Sequence, residues 1–256
     1  IKRGDDCAIL VQKSILYTDM TAENVKKELK KSSDKGKVAV YQRFFKTGPG
    51  KYGEGDRFIG VTVPKQRIIA KKYQMLPLYG IAILLASPVH EHRLTGLLIL
   101  TYRFPRASEV ERQVIFDFYL SQTERINNWD LVDVTAPNIV GEYLIDQDPS
   151  ILKRLAVSDS LWERRIAILS TFAFIRRGRH KECFELAKIL MHDQHDLMHK
   201  AVGWMLREVG KRCDEELLRD FLDQYAARMP RTMLRYAIER LPEPLRKHYL
   251  ARPKKA

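Results

Sequence analysis

The chain of 256 residues has few cysteines and no apolar run long enough to cross a membrane. Cys7, Cys183 and Cys213 are odd in number, lie far apart and form no Cys-x-x-Cys pair, which argues against a disulfide framework and a zinc ribbon. The longest apolar stretches, such as residues 76–86, fall short of the roughly 20 residues that a spanning helix needs. Because this cysteine usage suits a reducing compartment and no signal segment is visible after Ile1, we expect a cytoplasmic protein.

Long alternating strand patterns are also missing, whereas segments with helical periodicity follow one another from about Pro64 onward. Residues 48–57 hold four glycines and one proline, so they predict a loop rather than a continued helix. No Gly-Lys-Ser/Thr sequence closes this loop, so its glycine spacing does not match a phosphate-binding P-loop. We expect a connector whose Lys51 contacts a nucleic-acid backbone.

Positive charge is what the chain has in excess. Its 45 lysines and arginines outnumber 32 aspartates and glutamates and leave a net charge of +13. An excess of this size indicates a polyanionic partner, which leaves DNA, RNA and an anionic membrane surface as alternatives. A hydrophobic fraction of 45% is enough for a real core, so we expect a globular protein.

Apolar periodicity with short breaks at Pro, Gly, Asn, Asp or Ser predicts an all-α chain. The predicted helices cover residues 22–31, 36–47, 64–73, 77–86, 90–103, 109–123, 129–145, 150–157, 161–177, 180–191, 197–212, 214–226 and 230–241. Asn128 is expected to cap the helix over 129–145. Pro137 is expected to bend that helix, because proline has no N–H to donate to the Asp133 carbonyl oxygen.

Four residues recur on these helices at nearly constant spacing. Arg93, Trp129, Arg165 and Lys200 are separated by 36, 36 and 35 positions. A period of this length, filled by two helices, is the signature of an α-solenoid of stacked helix pairs. Such stacks curve, so the four residues are expected on one basic concave wall that fits a DNA duplex. For each basic residue taken alone, a solvated surface position is the alternative.

The predicted organisation is one large helical domain with two short flanking segments. Residues 21–250 are expected to form a single domain of helical repeats. Residues 1–20 are left as an unassigned N-terminal segment, and residues 251–256 as a basic tail.

Trp129 and Asp133 lie four residues apart, so they share one face of any helix that contains both. If the substrate is a sugar whose nitrogen-linked base is already positively charged, no general acid is needed. Asp133 would then stabilise the sugar cation and hold a water near it. Trp129 and Trp204 would present π faces to the cationic nucleotide, and Arg165 would hold a flanking phosphate. The alternatives are core positions for the tryptophans and a surface ion pair with an arginine for Asp133.

Three histidines raise the question of a metal site. His195 and His199 are four residues apart, but if Asp196 caps the following helix, His192 and His195 lie in the preceding loop. A zinc site also requires a third or fourth ligand at a recognisable spacing. We expect no metal.

Three blocks of sequence resemble the strongest blocks of the AlkD-like DNA alkylation repair glycosylases, and the spacing between them also fits. They are residues 128–133 (NWDLVD), 162–169 (WERRIAIL) and 200–208 (KAVGWMLRE). The resemblance extends more loosely from about Tyr41 to Leu241. It implies an α-solenoid of HEAT-like repeats that removes N3-alkyladenine and N7-alkylguanine from duplex DNA without a metal or organic cofactor. It also implies that the modified base stays in the DNA rather than entering a deep pocket.

By matching position, the resemblance implies that Trp129 and Trp204 contact the lesion nucleotide and that Asp133 stabilises the sugar cation and positions water. Arg165 would grip the backbone. The whole set expected to contact DNA is Arg93, Arg164, Arg165, Lys200, Arg207, Phe44 and Lys51. At Phe44 the chain departs from members that place a tyrosine there, so an aromatic surface is kept and a hydroxyl group is lost.

The predicted function is hydrolysis of the N-glycosidic bond of cationic alkylpurines by a monomer acting on double-stranded DNA, with no membrane partner. Two alternatives have the same architecture. A non-catalytic HEAT-repeat protein that binds unusual DNA structures would not need the set Trp129, Asp133 and Trp204. A protein-binding scaffold would carry less positive charge on its concave face.

Overall fold

The structure, a computed structural model, describes residues 20–252, which divide into two compact units after Leu131. Unit 1 contains α1 (Ala22–Lys31), α2 (Lys35–Phe44), α3 (Val63–Lys72), α4 (Leu78–Leu85), α5 (His90–Arg103) and α6 (Glu109–Ser121), and α7 (Trp129–Asp133) contains the division. Unit 2 contains α8 (Val140–Leu144), α9 (Ser150–Ala156), α10 (Leu161–Ile175), α11 (Lys181–Leu190), α12 (Asp196–Arg212), α13 (Glu215–Tyr225), α14 (Arg231–Ala237) and α15 (Glu243–Ala251). Single 3-10 turns occur at Phe104–Arg106, Thr123–Arg125 and Ala136–Asn138.

Unit 1 is organised around α5, which packs against α1, α3 and α4. The middle of α5 is buried on several sides because its residues from Leu94 to Leu100 are nearly all apolar. Its first turn is different, since the polar residues His90, Glu91 and Arg93 are buried there as well. Buried charged groups require partners. The first turn of α5 is therefore where unit 1 gathers polar side chains.

The loop predicted over residues 48–57 is confirmed, and it is tied to the start of α5. Gly55 has a φ of 88°, in the left-handed region that glycine adopts without steric cost. Arg57 then pairs with Val89 in an isolated parallel bridge. Just beyond, the Glu91 carboxylate accepts a hydrogen bond from the Gly60 N–H (2.8 Å). These contacts fix the end of the loop against the polar turn of α5.

Unit 2 repeats one arrangement of helix pairs. Helices α10, α12 and α14 pack side by side in chain order, and α9, α11 and α13 flank them. Gly203 allows α12 to approach α14 closely, because a Cβ at this position would lie only 2.4 Å from the Met233 carbonyl oxygen. Arg165 and Lys200 are each the fifth residue of their helices, α10 and α12. The sequence period thus corresponds to equivalent positions on neighbouring helices.

The all-α prediction and the α-solenoid of helix pairs are confirmed over residues 20–252, which contain no β-strand. No helix in this range is both long and apolar enough to span a bilayer. The curvature and the basic concave face stay predictions, as do the limits of a single domain over 21–250. The expectations for residues 1–19 and for 253–256 fall outside the described residues.

Most predicted helices are confirmed, and α1 and α5 agree at both ends. The single helix predicted over 129–145 is wrong. The chain there forms α7, the 3-10 turn Ala136–Asn138 and α8. Pro137 lies in that turn, so its missing N–H ends the α-helix instead of only bending it. The sequence also did not predict α15, which begins between two prolines, Pro242 and Pro244.

Candidate functional site

In unit 2, an aspartate and an arginine form a two-point ion pair. Arg165 donates from Nε to Asp133 Oδ1 (2.7 Å) and from Nη2 to Asp133 Oδ2 (2.8 Å). Its third nitrogen, Nη1, donates to the Leu197 carbonyl oxygen (2.6 Å). The side chain of Arg165 is 6% exposed and that of Asp133 is 13% exposed. The arginine therefore lies inside unit 2, while the Asp133 side chain still reaches the surface.

This geometry shows what holds Arg165 within unit 2, and its contact with a DNA phosphate stays a prediction. All three guanidinium nitrogens are bonded to acceptors within unit 2, and the residue is buried. A bidentate arginine fixes both the position and the plane of a carboxylate. Arg165 thus orients Asp133. The alternative that paired Asp133 with an arginine is confirmed, except that this arginine is buried.

Arg164 and Lys200 also belong to ion pairs, but with more exposed side chains. Arg164 donates from Nε to Asp193 Oδ2 (2.6 Å) and from Nη1 to the Ser158 carbonyl oxygen (2.9 Å). It lines an open cavity of about 580 Å³. The ammonium of Lys200 lies 2.7 Å from Asp196, and its side chain is 37% exposed. The DNA contacts of Arg164 and Lys200 stay predictions.

Trp204, on α12, is oriented by an acid one turn further along the helix. Its indole N–H donates to Glu208 Oε1 (3.3 Å), and Glu208 also accepts from Arg212 Nε (2.7 Å). Burial raises the pKa of Glu208, but the bonds from Arg212 and Trp204 outweigh it and hold the pKa below its usual value. Arg207 forms an ion pair with Glu239, and its contact with DNA stays a prediction.

In unit 1, the aromatic shelf consists of Phe44, Phe45, Phe58 and Trp129. Phe45 stacks between Phe58, at a ring-centroid distance of 5.1 Å, and Trp129, at 5.4 Å. Phe44 meets Trp129 edge to face at 5.7 Å and is 60% exposed. An exposed phenylalanine beside a half-buried tryptophan offers an apolar surface to a partner. Lys51 is exposed in the following loop. Contacts of Phe44 and Lys51 with DNA stay predictions.

Five side chains of unit 1 form a buried ion network: Asp56, His90, Arg93, Asn128 and Asp130. His90 contacts Asp56 Oδ2 through Nδ1 (2.9 Å) and Asp130 Oδ2 through Nε2 (2.8 Å). Arg93 Nη2 donates to Asp56 Oδ1 (2.5 Å), and Asn128 Nδ2 donates to Asp56 Oδ2 (3.0 Å). Each of the five residues is at most 8% exposed. Through the His90 ring, the network contacts Phe45 and Phe58 of the aromatic shelf.

The two contacts of His90 require an imidazolium ion, because a neutral ring has only one N–H to offer to two carboxylates. Burial lowers the pKa of His90, but the charges and hydrogen bonds of Asp130 and Asp56 outweigh it and raise the pKa to about 9. Burial likewise raises the pKa of Asp56, and the bond from His90 and the charge of Arg93 hold it below its usual value. The network therefore contains two cations and two anions.

Arg93 is buried in unit 1, and its predicted place on a basic wall and its contact with DNA stay predictions. Arg93 is 4% exposed, and besides Asp56 its guanidinium donates to the Ser87 carbonyl oxygen (3.1 Å). Its position near the start of α5 brings it into the core instead of toward solvent. Its partners are all in unit 1.

Two of the three histidines near α12, His195 and His199, have side-chain partners within the protein. His195, and not Asp196, is the N-cap of α12, with Nδ1 accepting from the Leu197 N–H (3.1 Å). His199 Nε2 lies 2.5 Å from the Asp193 carbonyl oxygen. Across residues 20–252, no group of three or more His, Cys, Asp or Glu side chains is arranged to hold a metal ion.

Most of the buried ion network could not be predicted from the sequence. His90 and Arg93 lie three positions apart in the first turn of a helix whose middle is apolar, a pattern that indicates polar side chains facing each other in a core. Asn128 and Asp130 flank Trp129 directly. Asp56 carries no local signal, because its partners lie at least 34 positions away.

Comparisons with known proteins give a consistent result. The profile of the family described as DNA alkylation repair enzyme matches residues 25–241. A solved structure, a predicted DNA alkylation repair enzyme from Enterococcus faecalis, superposes with a TM-score of 0.65 at 14% identity, covering 83% of this chain and 98% of that chain. At this identity the likeness shows the fold alone. No curated protein matches the chain significantly. The profile match covers most of the sequence, and the chain belongs to the DNA alkylation repair enzyme family.

Proposed function

We propose that the protein is a DNA glycosylase that hydrolyses the N-glycosidic bond of N3-alkyladenine and N7-alkylguanine in double-stranded DNA. The observation that carries this proposal is the Asp133 carboxylate, which buried Arg165 holds at two points while the Asp133 side chain keeps an exposure of 13%. Family membership supports a role in the repair of alkylated DNA. The fixed carboxylate supports a more specific proposal within that role, which is stabilisation of a sugar cation during base release.

The chemistry follows from the charge of the substrate. A purine alkylated at N3 or N7 is already a cation, so when its bond to C1′ breaks, both bonding electrons leave with the base and the base departs neutral. The positive charge moves to the sugar. A general acid is not required, and the useful group is an anion close to the sugar. A water then adds to C1′ and gives up its proton to solvent, which completes the hydrolysis.

Arg165 serves this chemistry by holding Asp133. Its two bonds hold the Asp133 carboxylate in one orientation before the substrate arrives. A preorganised charge stabilises a developing cation more than a charge that must first reorient. The third bond, to the Leu197 carbonyl oxygen, anchors the guanidinium itself.

Trp129 and Trp204 are the proposed aromatic contacts of the cationic nucleotide. A cation over a tryptophan face gains roughly 0.5–2 kcal/mol, with the upper end reached when water is excluded. Glu208 holds the indole N–H of Trp204, and Phe44 extends the aromatic shelf beside Trp129. Lys51, Arg164, Lys200 and Arg207 are the proposed phosphate contacts, which would provide affinity without sequence preference.

The test is a base-release assay on duplexes that contain either one N7-methylguanine or one uracil. The wild type should release methylguanine and leave uracil in place, because uracil would depart as an anion and needs a proton. Asp133→Asn keeps the shape of the side chain and removes its charge, so release should fall on the order of 100-fold. Binding of the duplex should stay nearly unchanged.

The matched control is Asp146→Asn, the same substitution at an exposed position of unit 2. It should retain wild-type release. Efficient uracil excision, or full activity in Asp133→Asn, would overturn the mechanism. A wild-type protein that binds the duplex and releases no base would instead favour the non-catalytic DNA-binding alternative.

A further inference from the structure

The buried ion network holds the backbone on both sides of Trp129. Asn128 accepts the Trp129 N–H through Oδ1 (2.8 Å) and donates to Asp56 through Nδ2 (3.0 Å). On the other side, Asp130 Oδ2 meets His90 Nε2 (2.8 Å), and Asp130 Oδ1 accepts the Leu131 N–H (2.8 Å). The start of α7, including Trp129, is therefore fixed by side chains attached to α5 and to the loop before α3.

His90 also supports the aromatic shelf directly. Its ring lies 4.9 Å from that of Phe45 and stacks on Phe58 at 4.8 Å. Phe45 in turn stacks on Trp129 at 5.4 Å with an interplanar angle of 22°. A cation next to aromatic faces is stabilised by them. One ring thus connects the hydrogen bonds beside Trp129 with the rings packed against its indole.

The charges of the network balance only when His90 is protonated. Asp56 and Asp130 supply two negative charges, and Arg93 and His90 supply two positive ones. A neutral His90 would leave one negative charge of the network buried without a matching cation, which is costly in a core. Buried ion pairs contribute little net stability compared with apolar packing, and their better attested use is to specify one arrangement.

We propose that His90 is a positioning residue for Trp129, holding the indole in the orientation that the cationic nucleotide requires. This rests on the proposed glycosylase function. His90 does not touch the substrate. Through Asp130 on one side, and through Asp56 and Asn128 on the other, it fixes the backbone beside Trp129. Through Phe45 it supports the indole ring of Trp129.

The first test measures kinetics. His90→Gln keeps an N–H for one carboxylate but removes the charge and the ring, so kcat for methylguanine release should fall about 10-fold with little change in KM. Adding Asp130→Asn to His90→Gln removes one anion and restores the charge balance. This double variant should recover part of the kcat that His90→Gln loses. The matched control is Leu186→Ala, a buried truncation in unit 2 that lowers stability and should retain kcat.

The second test follows Trp129 itself and does not depend on catalysis. With Trp162 and Trp204 replaced by phenylalanine, Trp129 is the remaining tryptophan, and its emission reports on its surroundings. His90→Gln in this background should shift the emission to longer wavelength and raise acrylamide quenching. If His90→Gln does not fold, Asp130→Asn alone is measured in the same way, with the same expected direction.

The outcomes separate the two proposals. Unchanged emission together with unchanged kcat in His90→Gln would overturn the positioning role. The same conclusion would follow if His90→Gln lost no more kcat than the control Leu186→Ala does. A wild type that releases no base, combined with the expected change in emission, would overturn the glycosylase function and leave the positioning of Trp129 intact.

Discussion

The two units each contain a buried arginine paired with an aspartate, and the aspartates differ in what else surrounds them. In unit 1, Asp56 receives bonds from Arg93, His90 and Asn128, and its side chain is 5% exposed. In unit 2, Asp133 receives both bonds of Arg165 and keeps a side-chain exposure of 13%. One carboxylate is enclosed by three side chains, whereas the other still meets solvent.

We interpret the difference as one between a structural ion pair and the proposed catalytic one. An enclosed carboxylate cannot approach a substrate, but it can fix the chain segments that carry its donors. A carboxylate with an accessible edge keeps the ability to stabilise an external cation. Arginine burial is nearly the same in both units, so the exposure of the acid, rather than that of the base, distinguishes them.

The largest expected effect is on stability, and it should differ between the two aspartates. Asp56→Ala leaves the charges of His90 and Arg93 buried without their shared partner, so the free energy of unfolding should fall by about 3–5 kcal/mol. Asp133→Ala should cost less, because water can reach the vacated position beside Arg165. Urea denaturation of both variants measures the difference. Equal losses would show that the partial exposure of Asp133 has no energetic meaning.

The helices were predictable because their signals are local. Apolar spacing locates α1 and α5 correctly at both ends, and it identifies the repeated positions of Arg165 and Lys200 on α10 and α12. The break after Asp133 was underestimated, since a proline can bend or end a helix and tertiary packing decides between these outcomes. Local patterns thus predict the helices better than they predict where a helix is interrupted.

The partners of the candidate residues were less predictable. Spacing places Arg93 and Arg165 on helices, but the direction of each guanidinium depends on acids 37 and 32 positions away in the chain. Resemblance selects Trp129, Asp133 and Trp204, and their roles stay proposals. It gives no indication of the ring contacts between His90 and the aromatic shelf, which arise only when the loop before α3 packs against α5.

A smaller effect should appear as a dependence of stability on pH that belongs to unit 1. The pKa of His90 is about 9 in the folded protein and its ordinary value is 6.5. A raised pKa stabilises the fold fully below pH 6.5, and this contribution is lost as the pH rises through 9. The loss should approach about 3 kcal/mol. Urea denaturation between pH 6 and about pH 9 measures it.

His90→Gln provides the control for this pH dependence, since it removes the titrating group while the Asp133 pair contains no histidine. The variant should be less stable at pH 6 and should show a flatter profile across the same range. The measurement stops near pH 9 because burial raises the pKa of Cys183 to about 12, which adds a separate loss of stability at higher pH. A wild-type profile that is flat from pH 6.5 to 9 would contradict the charged state of His90.

The smallest expected effect concerns the two tryptophans, one from each unit. Trp129→Ala and Trp204→Ala should each slow methylguanine release by the equivalent of roughly 0.5–2 kcal/mol, less than the loss in Asp133→Asn, because each removes one aromatic contact with the cation. Trp→Phe at either position keeps a π face and should recover part of the rate. Trp129 packs within the aromatic shelf, whereas Trp204 donates a hydrogen bond to Glu208. Trp129→Ala should therefore lower the free energy of unfolding more than Trp204→Ala does. Rates as low as that of Asp133→Asn would mean that the tryptophans position the sugar for the carboxylate, and unchanged rates would exclude both from contact with the lesion.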